Sequence, residues 1–476
     1  MGEFSFTSVF GFTINWDFWS WLVSLPTASV INYIFAIIGW TFLALVFYYI
    51  GAHFWAAYRG EKYTAKWQFI LLAVDIPPMY IQTPKAVEQI FAHLSGAKIS
   101  PGVKEKFWTG KRQKFFSFEI ISIEGYIQFL IRTEMEFRDL VEAAVYAQYP
   151  EAEITEVEDY VEMVPNGFPN PTHHMLAVDF KLADADAFPI RTYPSFEYKI
   201  SKDDVFSDPM AAILENFSRI GHGENFWFQI ILEPTGNAWK EKGIALVKDI
   251  IAGHHGHHAH GNPLLMAVGD FPMKVAKEFL TYINGTEFGG HEEEHTEGKL
   301  SDLTPGMKST IEAIEDKIAK LGFKVKMRAV YMARNEVFNP SRCIDGFVGA
   351  LNQFHVQSRN AVVPSSNSHG HFAFFKKWQQ LQLDNKFIKA YVKRKLKVGS
   401  SPCILNIEEL ATIWHFPLPF VKTPLIQKAG AKRGEAPMNL PIDTIESPLR
   451  VKAKIPEAHI PIPVVEAEPP EDLPYG

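Results

Sequence analysis

Cysteine is nearly absent from this chain: Cys343 and Cys403 are the only two in 476 residues. That excludes a disulfide scaffold and fits a reducing compartment. Lysine and arginine are missing altogether from positions 1–28, where the only charges are Glu3 and Asp17. The signatures of the common nucleotide and nucleophile sites are missing too. The nearest approach to a phosphate-binding loop is Gly110-Lys111, but Glu105 stands where its first glycine belongs and Arg112 where Ser or Thr would hold magnesium. No G-x-S-x-G elbow, C-x-x-C pair or kinase set occurs. The expectation is a protein that is not an enzyme and carries no cofactor. A net charge of -7 argues against a globally basic nucleic-acid binder and leaves local patches open.

What the chain does have is one long apolar run. Ser29 to Ile50 is 22 residues without a charge, roughly 33 Å as a helix against a hydrocarbon core of about 30 Å. Tyr33 marks one end, and Phe47, Tyr48, Tyr49, Phe54 and Trp55 crowd the other, where headgroup-level rings are expected. A signal peptide would need a basic leader, a shorter core and a small-residue cleavage site. The reading is a transmembrane helix over 29–57, with Ile31, Ile34, Phe35, Ile38, Phe42, Leu45 and Phe47 as anchoring side chains in contact with membrane lipid. Arg59, Lys62 and Lys66 follow directly, so the N-terminal segment 1–28 is expected outside and the bulk in the cytoplasm.

The remainder reads as α+β. Residues 61–163 carry a βαββαβ rhythm: a strand from Trp67, a helix opened by Thr83-Pro84, a hairpin turning at Glu124-Gly125, a helix through Val141, and a strand from Ile154. That order predicts a ferredoxin-like domain. Beyond the Pro-rich break at Val164–Pro171, residues 172–425 alternate strand and helix again, with strands expected at Met175–Lys181, Tyr193–Ile200, Phe226–Glu233 and Phe323–Ala333. A second ferredoxin-like or related α/β sandwich is expected, a degenerate copy of the first being one possibility. The tail 434–476 holds nine prolines in 43 residues and is expected to be extended or disordered.

Two clusters invite chemistry. His254, His255, His257, His258 and His260 form a metal-binding candidate inside an insertion at 253–299, and His291-Glu292-Glu293-Glu294-His295 matches the H-E-x-x-H zinc signature. The glycines before that motif and the lack of an apolar face favour a solvated loop over a zinc metallohydrolase. Lys386, Lys389, Lys393, Arg394, Lys395 and Lys397, interleaved with Phe387 and Tyr391, form the densest basic run. It reads either as a solvated face or as a contact for phosphates of nucleic acid or anionic lipid. Lys104, Lys106, Lys111, Arg112 and Lys114 make a second basic loop with the same two readings.

SSPCILNIEELATIWHFP at 400–417, with GFKVKMRAVYMA (322–333) and GFVGALNQF (346–354), resembles the non-catalytic region ahead of the motor in type IV secretion and conjugation-like ATPases. Residues 115–154 resemble the membrane-anchored front half of uncharacterised proteins from ultrasmall candidate-phylum bacteria, a half often followed by such a motor. The resemblance covers roughly residues 30–445 and stops short of the family's P-loop domain. It implies a scaffold or accessory subunit of a secretion or DNA-translocation machine, partnered by a separate P-loop ATPase or secretion-machine subunits. Nucleic acid and a second copy of the chain are further candidate partners, and a membrane-tethered DNA-binding module is the alternative reading.

Overall fold

The computed structural model describes residues 24, 26–77, 82–165, 167–200, 203–206, 208–252, 303–365 and 385–418. The insertion at 253–299, the tail at 434–476 and most of 1–28 lie outside these residues. The chain forms two compact units. One takes in Met1–Trp67, Lys98–Lys114 and Asp249–Asp302; the other takes in Gln68–Ala97, Phe115–Lys248 and Leu303–Gly476.

In the first unit, helix α1 runs over Thr27–Thr64, 38 residues, behind Pro26. At ~1.5 Å per residue it is about 57 Å long, far more than a hydrocarbon core requires. It is a helix long and apolar enough to cross a membrane. It outlasts the expected 29–57 because Arg59, Glu61 and Lys62 carry good helix formers past the apolar run. The loop 98–114 holds a single π-turn, Glu105–Thr109, closed by Gly110 at φ 77°.

The second unit is built on a nine-stranded sheet in which every pairing is antiparallel. Its strands are β1 (Phe69–Asp75), β2 (Phe116–Ile123), β3 (Tyr126–Glu134), β4 (Glu153–Val157), β5 (His173–Leu182), β8 (Glu224–Pro234), β9 (Gly322–Arg334), β10 (Val362–Pro364) and β11 (Cys403–Asn406). Glu124 and Gly125, at φ 53° and 94°, make the tight β2–β3 turn foreseen at that dipeptide. A separate hairpin pairs β6 (Glu197–Ile200) with β7 (Asp203–Phe206). The strand expected over Tyr193–Ile200 is therefore half 3₁₀ turn, Tyr193–Phe196; Pro194 has no amide to give a ladder.

Across the sheet the order is β10-β5-β9-β8-β2-β3-β1-β4, with β11 on β9. The two stretches expected as separate domains thus share one sheet, joined where β2 meets β8 in eight residue pairs from Phe116↔Leu232 to Ile123↔Asn225. Walking outward from that seam, each half presents its second, third, first and fourth strand in turn. Helices occupy matching places: α2 (Pro84–Leu94) and α3 (Arg138–Gln148) in one half, α4 (Met210–Ser218) and α7 (Gly346–Leu351) in the other. Helices α5 (Ala238–Ile251) and α6 (Pro305–Ala319) fall between β8 and β9, where the first half has only its hairpin turn.

One sheet face packs on those helices in a single large core that draws Phe91, Phe118, Phe129, Phe217, Phe228 and Phe347 from both halves. The segment 400–417 completes it. Asn406 caps α8 (Ile407–Ile413) in a reciprocal box: its side chain accepts from the Glu409 amide at 2.8 Å, and the Glu409 carboxylate accepts from the Asn406 amide at 2.9 Å. The helix delivers Trp414, fully buried, with ring centroids 4.8 Å from Phe118, 5.6 Å from Phe129 and 5.0 Å from Phe416. Trp414→Ala is expected to cost about 3–5 kcal/mol. The check is a lower denaturant midpoint at unchanged slope; a loss below about 1 kcal/mol would mean that the ring does not hold this core.

Candidate functional site

The sequence-predicted anchor residues all lie on α1, and most face outward: Phe35 is 69% and Phe47 70% exposed, with Ile31, Ile38, Phe42 and Leu45 close to half exposed. Ile34 lies on the same helix. None of its apolar window is buried. Where the apolar stretch gives way to charge, the loop 98–114 is fastened to the helix. The Trp55 indole donates to the Phe107 carbonyl at 3.1 Å, Arg59 Nε to the Trp108 carbonyl at 2.6 Å, and Arg112 Nη2 to the Ala56 carbonyl at 2.5 Å. Two glycines make this approach possible. A Cβ on Gly60 would lie 2.7 Å from the Arg112 guanidinium, and one on Gly110 would overlap the Arg59 carbonyl oxygen. The clasp leaves Trp108 61% exposed, its ring edge-on to Trp55 at 6.4 Å. Glu105 is tied to Lys111 at 3.2 Å; the Gly102 amide, then Lys111, keep its carboxyl below the usual range. Lys104 and Lys106 point to solvent.

The second candidate, the basic run, divides in two. Residues 385–392 are helical, with Lys386, Lys389 and Lys393 exposed on one side, and Lys395 and Lys397 exposed beyond. Phe387, Ile388, Tyr391 and Arg394 are buried. Arg394 is therefore not a phosphate or lipid contact, and the two rings are not available to stack on bases. The helix ends in a Schellman turn, Lys395 N to Ala390 O at 2.8 Å and Arg394 N to Tyr391 O at 2.9 Å. The left-handed position normally given to glycine is taken by Arg394 at φ 47°, a cost of about 1–2 kcal/mol for an L-residue.

That strain is offset by what the side chain reaches. Strands β2, β8, β9 and β5 carry a polar row on the sheet face opposite the helices: Glu119 stands opposite Gln229, Gln229 opposite Arg328, and Arg328 opposite Asp179. All four are fully buried. Arg394 forks onto both Glu119 oxygens at 3.1 Å and onto Asp159 at 2.6 and 2.8 Å. Ser117 and Gln229 donate to the same Glu119 carboxylate at 2.6 and 3.0 Å. Arg328 Nη2 donates to the carbonyls of Lys395 and Val398, both at 2.6 Å, and Lys326 binds Asp179 and Ser400. Tyr160 and Tyr391 join hydroxyls at 2.8 Å over the neighbouring apolar patch.

The electrostatics follow the geometry. Burial pushes the Glu119 carboxyl up, but Arg394 and then Ser117 outweigh it, and the group rests below its usual range. Burial, then the charge of Arg394, brings Arg132 down to about 10. Burial also lowers Lys326 and Arg328, against the pull of Asp179. Each of these charges faces another residue of the fold. The arrangement locks the 385–400 segment to the sheet.

Residues 102–429 match a family described as a domain of unknown function (DUF8128). The chain belongs to that family. The DUF8128 match takes in the tip of the clasping loop, the sheet from β2 onward and the lysine-bearing segment, while α1 and β1 precede it. No curated protein matches the chain. The metal candidates His254, His255, His257, His258 and His260, and the motif His291–His295 with Glu292, lie outside the described residues. Among the described residues no group of three His, Cys, Asp or Glu side chains forms a metal cluster.

Reading the sequence alone misses Asp179, Lys326 and Arg328, although a signal exists: in FKVKMRAV (323–330) Lys326 and Arg328 share the parity of Val330, which faces the same side of the sheet. Trp108 is missed as well; its cue is the pair Phe107-Trp108 set directly behind lysines. Arg394→Met would take its charged partner from buried Glu119 and leave Asp159 paired with Arg132 alone, at 4.0 Å, and should cost about 3–5 kcal/mol at pH 7. Because the folded Glu119 value is depressed, its contribution is present above the unfolded pKa of about 4.3 and disappears as pH falls through the folded value. The stability gap between the parent and Glu119→Gln should therefore narrow in urea titrations taken from pH 7 toward pH 3. A gap that is constant with pH would contradict the ionised pairing.

Proposed function

We propose that this protein is a non-enzymatic, membrane-anchored scaffold: a single pass through α1, the N-terminus outside, and the sheet-bearing body in the cytoplasm. The observation that carries it is α1 itself, whose large apolar side chains stand exposed and whose charged end is clasped by a basic, aromatic loop. The K/R asymmetry on either side of the apolar run supports the orientation. Each half of the sheet is read as a ferredoxin-like βαββαβ unit; the matching strand order on either side of the β2–β8 seam supports this.

The residues that resemble conjugation-like ATPase front halves form β2, β3 and α3, then β9, α7 and the β11–α8 closure. On that resemblance the proposed role is recruitment of a separate P-loop ATPase to a secretion or DNA-transfer machine. Anchoring raises the effective concentration of such partners at the bilayer. That the buried charges Glu119 and Arg394 and the neighbouring Asp159 satisfy one another supports a structural rather than a catalytic role for them.

Affinity purification of the full-length chain from detergent-solubilised membranes is expected to bring down an ATPase, and deletion of residues 434–476 to release it. Recovery of the chain alone, under conditions that preserve other membrane complexes, would contradict the scaffold reading.

A further inference from the structure

An anchor needs only α1, yet the chain invests a second element at its charged end. The 102–112 loop is held on residues 55–60 by three side-chain-to-carbonyl hydrogen bonds and two close glycine contacts. What this rigid attachment displays is an exposed indole, Trp108, beside the rings of Trp55 and Tyr58, which lie 6.3 Å apart. Trp55 is itself 40% exposed. Indole rings with one apolar side and one polar handle favour the headgroup level of a bilayer. On the same turn, Lys104 and Lys106 are exposed and positive, while the intervening Glu105 is already neutralised by Lys111.

We propose that the loop 102–112 is a membrane foot: Trp108 inserts at headgroup depth, and Lys104 and Lys106 take the phosphates of anionic lipids, in the leaflet where α1 ends. This rests on the reading of α1 as a spanning helix and goes beyond it. A lone helix is free to rotate about its axis and to tilt. A foot on one side, bonded to Trp55, Ala56 and Arg59, fixes which face of α1 turns toward which part of the leaflet. Continuity with the apolar helix and the sign of the exposed charge select an anionic lipid surface as the occupant.

The test uses the full-length protein with Thr109→Cys, an exposed site, labelled with bimane and reconstituted into vesicles of phosphatidylcholine with or without phosphatidylglycerol. Cys343 and Cys403 are buried and leave the introduced thiol as the reactive one. Shallow doxyl lipids are expected to quench the probe in the phosphatidylglycerol vesicles, less in phosphatidylcholine alone, and less again with Trp108→Ala. Lys104→Gln and Lys106→Gln should each lower the docked-to-undocked ratio about fivefold. A reference probe at Phe42→Cys should be quenched by deep doxyl lipids throughout. If the Phe42 position is quenched and the Thr109 position is not, the foot is wrong and the anchor stands. If neither is quenched, both fall. Quenching at position 109 that ignores lipid charge and both lysines would refute the anionic-headgroup assignment.

Discussion

The apolar side chains of α1 have to lie against something other than water, and the whole functional account depends on that constraint. Eight large ones from Ile31 to Phe47 (Ile31, Phe35, Ile38, Trp40, Phe42, Leu43, Leu45 and Phe47) stand between 44% and 73% exposed. At about 1.5–3 kcal/mol for each side chain buried, even partial exposure forfeits on the order of ten kcal/mol, as much as a typical domain's whole stability. On the proposed reading a bilayer core supplies the missing surroundings while the helix satisfies its own backbone. On the same reading the clasp at residues 55–60 sits where hydrocarbon gives way to headgroups, and the side chains it presents suit an interface.

The sheet-bearing unit obeys a second constraint. Its helix-covered face is conventional core, but its other face buries Glu119, Gln229, Arg328, Lys326 and Asp179 together. Buried ions are costly unless their hydrogen bonds are met. Most are met here by a segment distant in sequence, which inserts Arg394 and offers the carbonyls of Lys395 and Val398; Arg328 Nε and Asp179 Oδ1 face each other at 3.7 Å without a hydrogen bond, and Gln229 Oε1 has none. The lysines of that segment are left on its outer side. One run of sequence therefore does two jobs, latching the fold inward and carrying charge outward.

How far the sequence is legible depends on which interactions are local. The apolar helix and the Glu124-Gly125 hairpin are written in contiguous residues, and both are found where expected. The matching order of strands is half legible: βαββαβ can be read in residues 67–160, whereas the order of the second half is obscured by α5, α6 and the insertion between β8 and β9. The seam is illegible, because β2, which would be an edge strand in the first half taken alone, shows no preference for β8 until both are folded. Arg394 is the instructive failure. In a run with five lysines its charge looks like theirs, and only the left-handed turn and the distant carboxylates set it apart.

Alkaline carbonate extraction of membranes bearing the full-length chain tests the central claim most directly. The account predicts that the protein stays in the membrane pellet, and that removing residues 26–57 moves it to the supernatant with its sheet-bearing unit folded. Full-length protein released by carbonate, or found soluble before extraction, would contradict it.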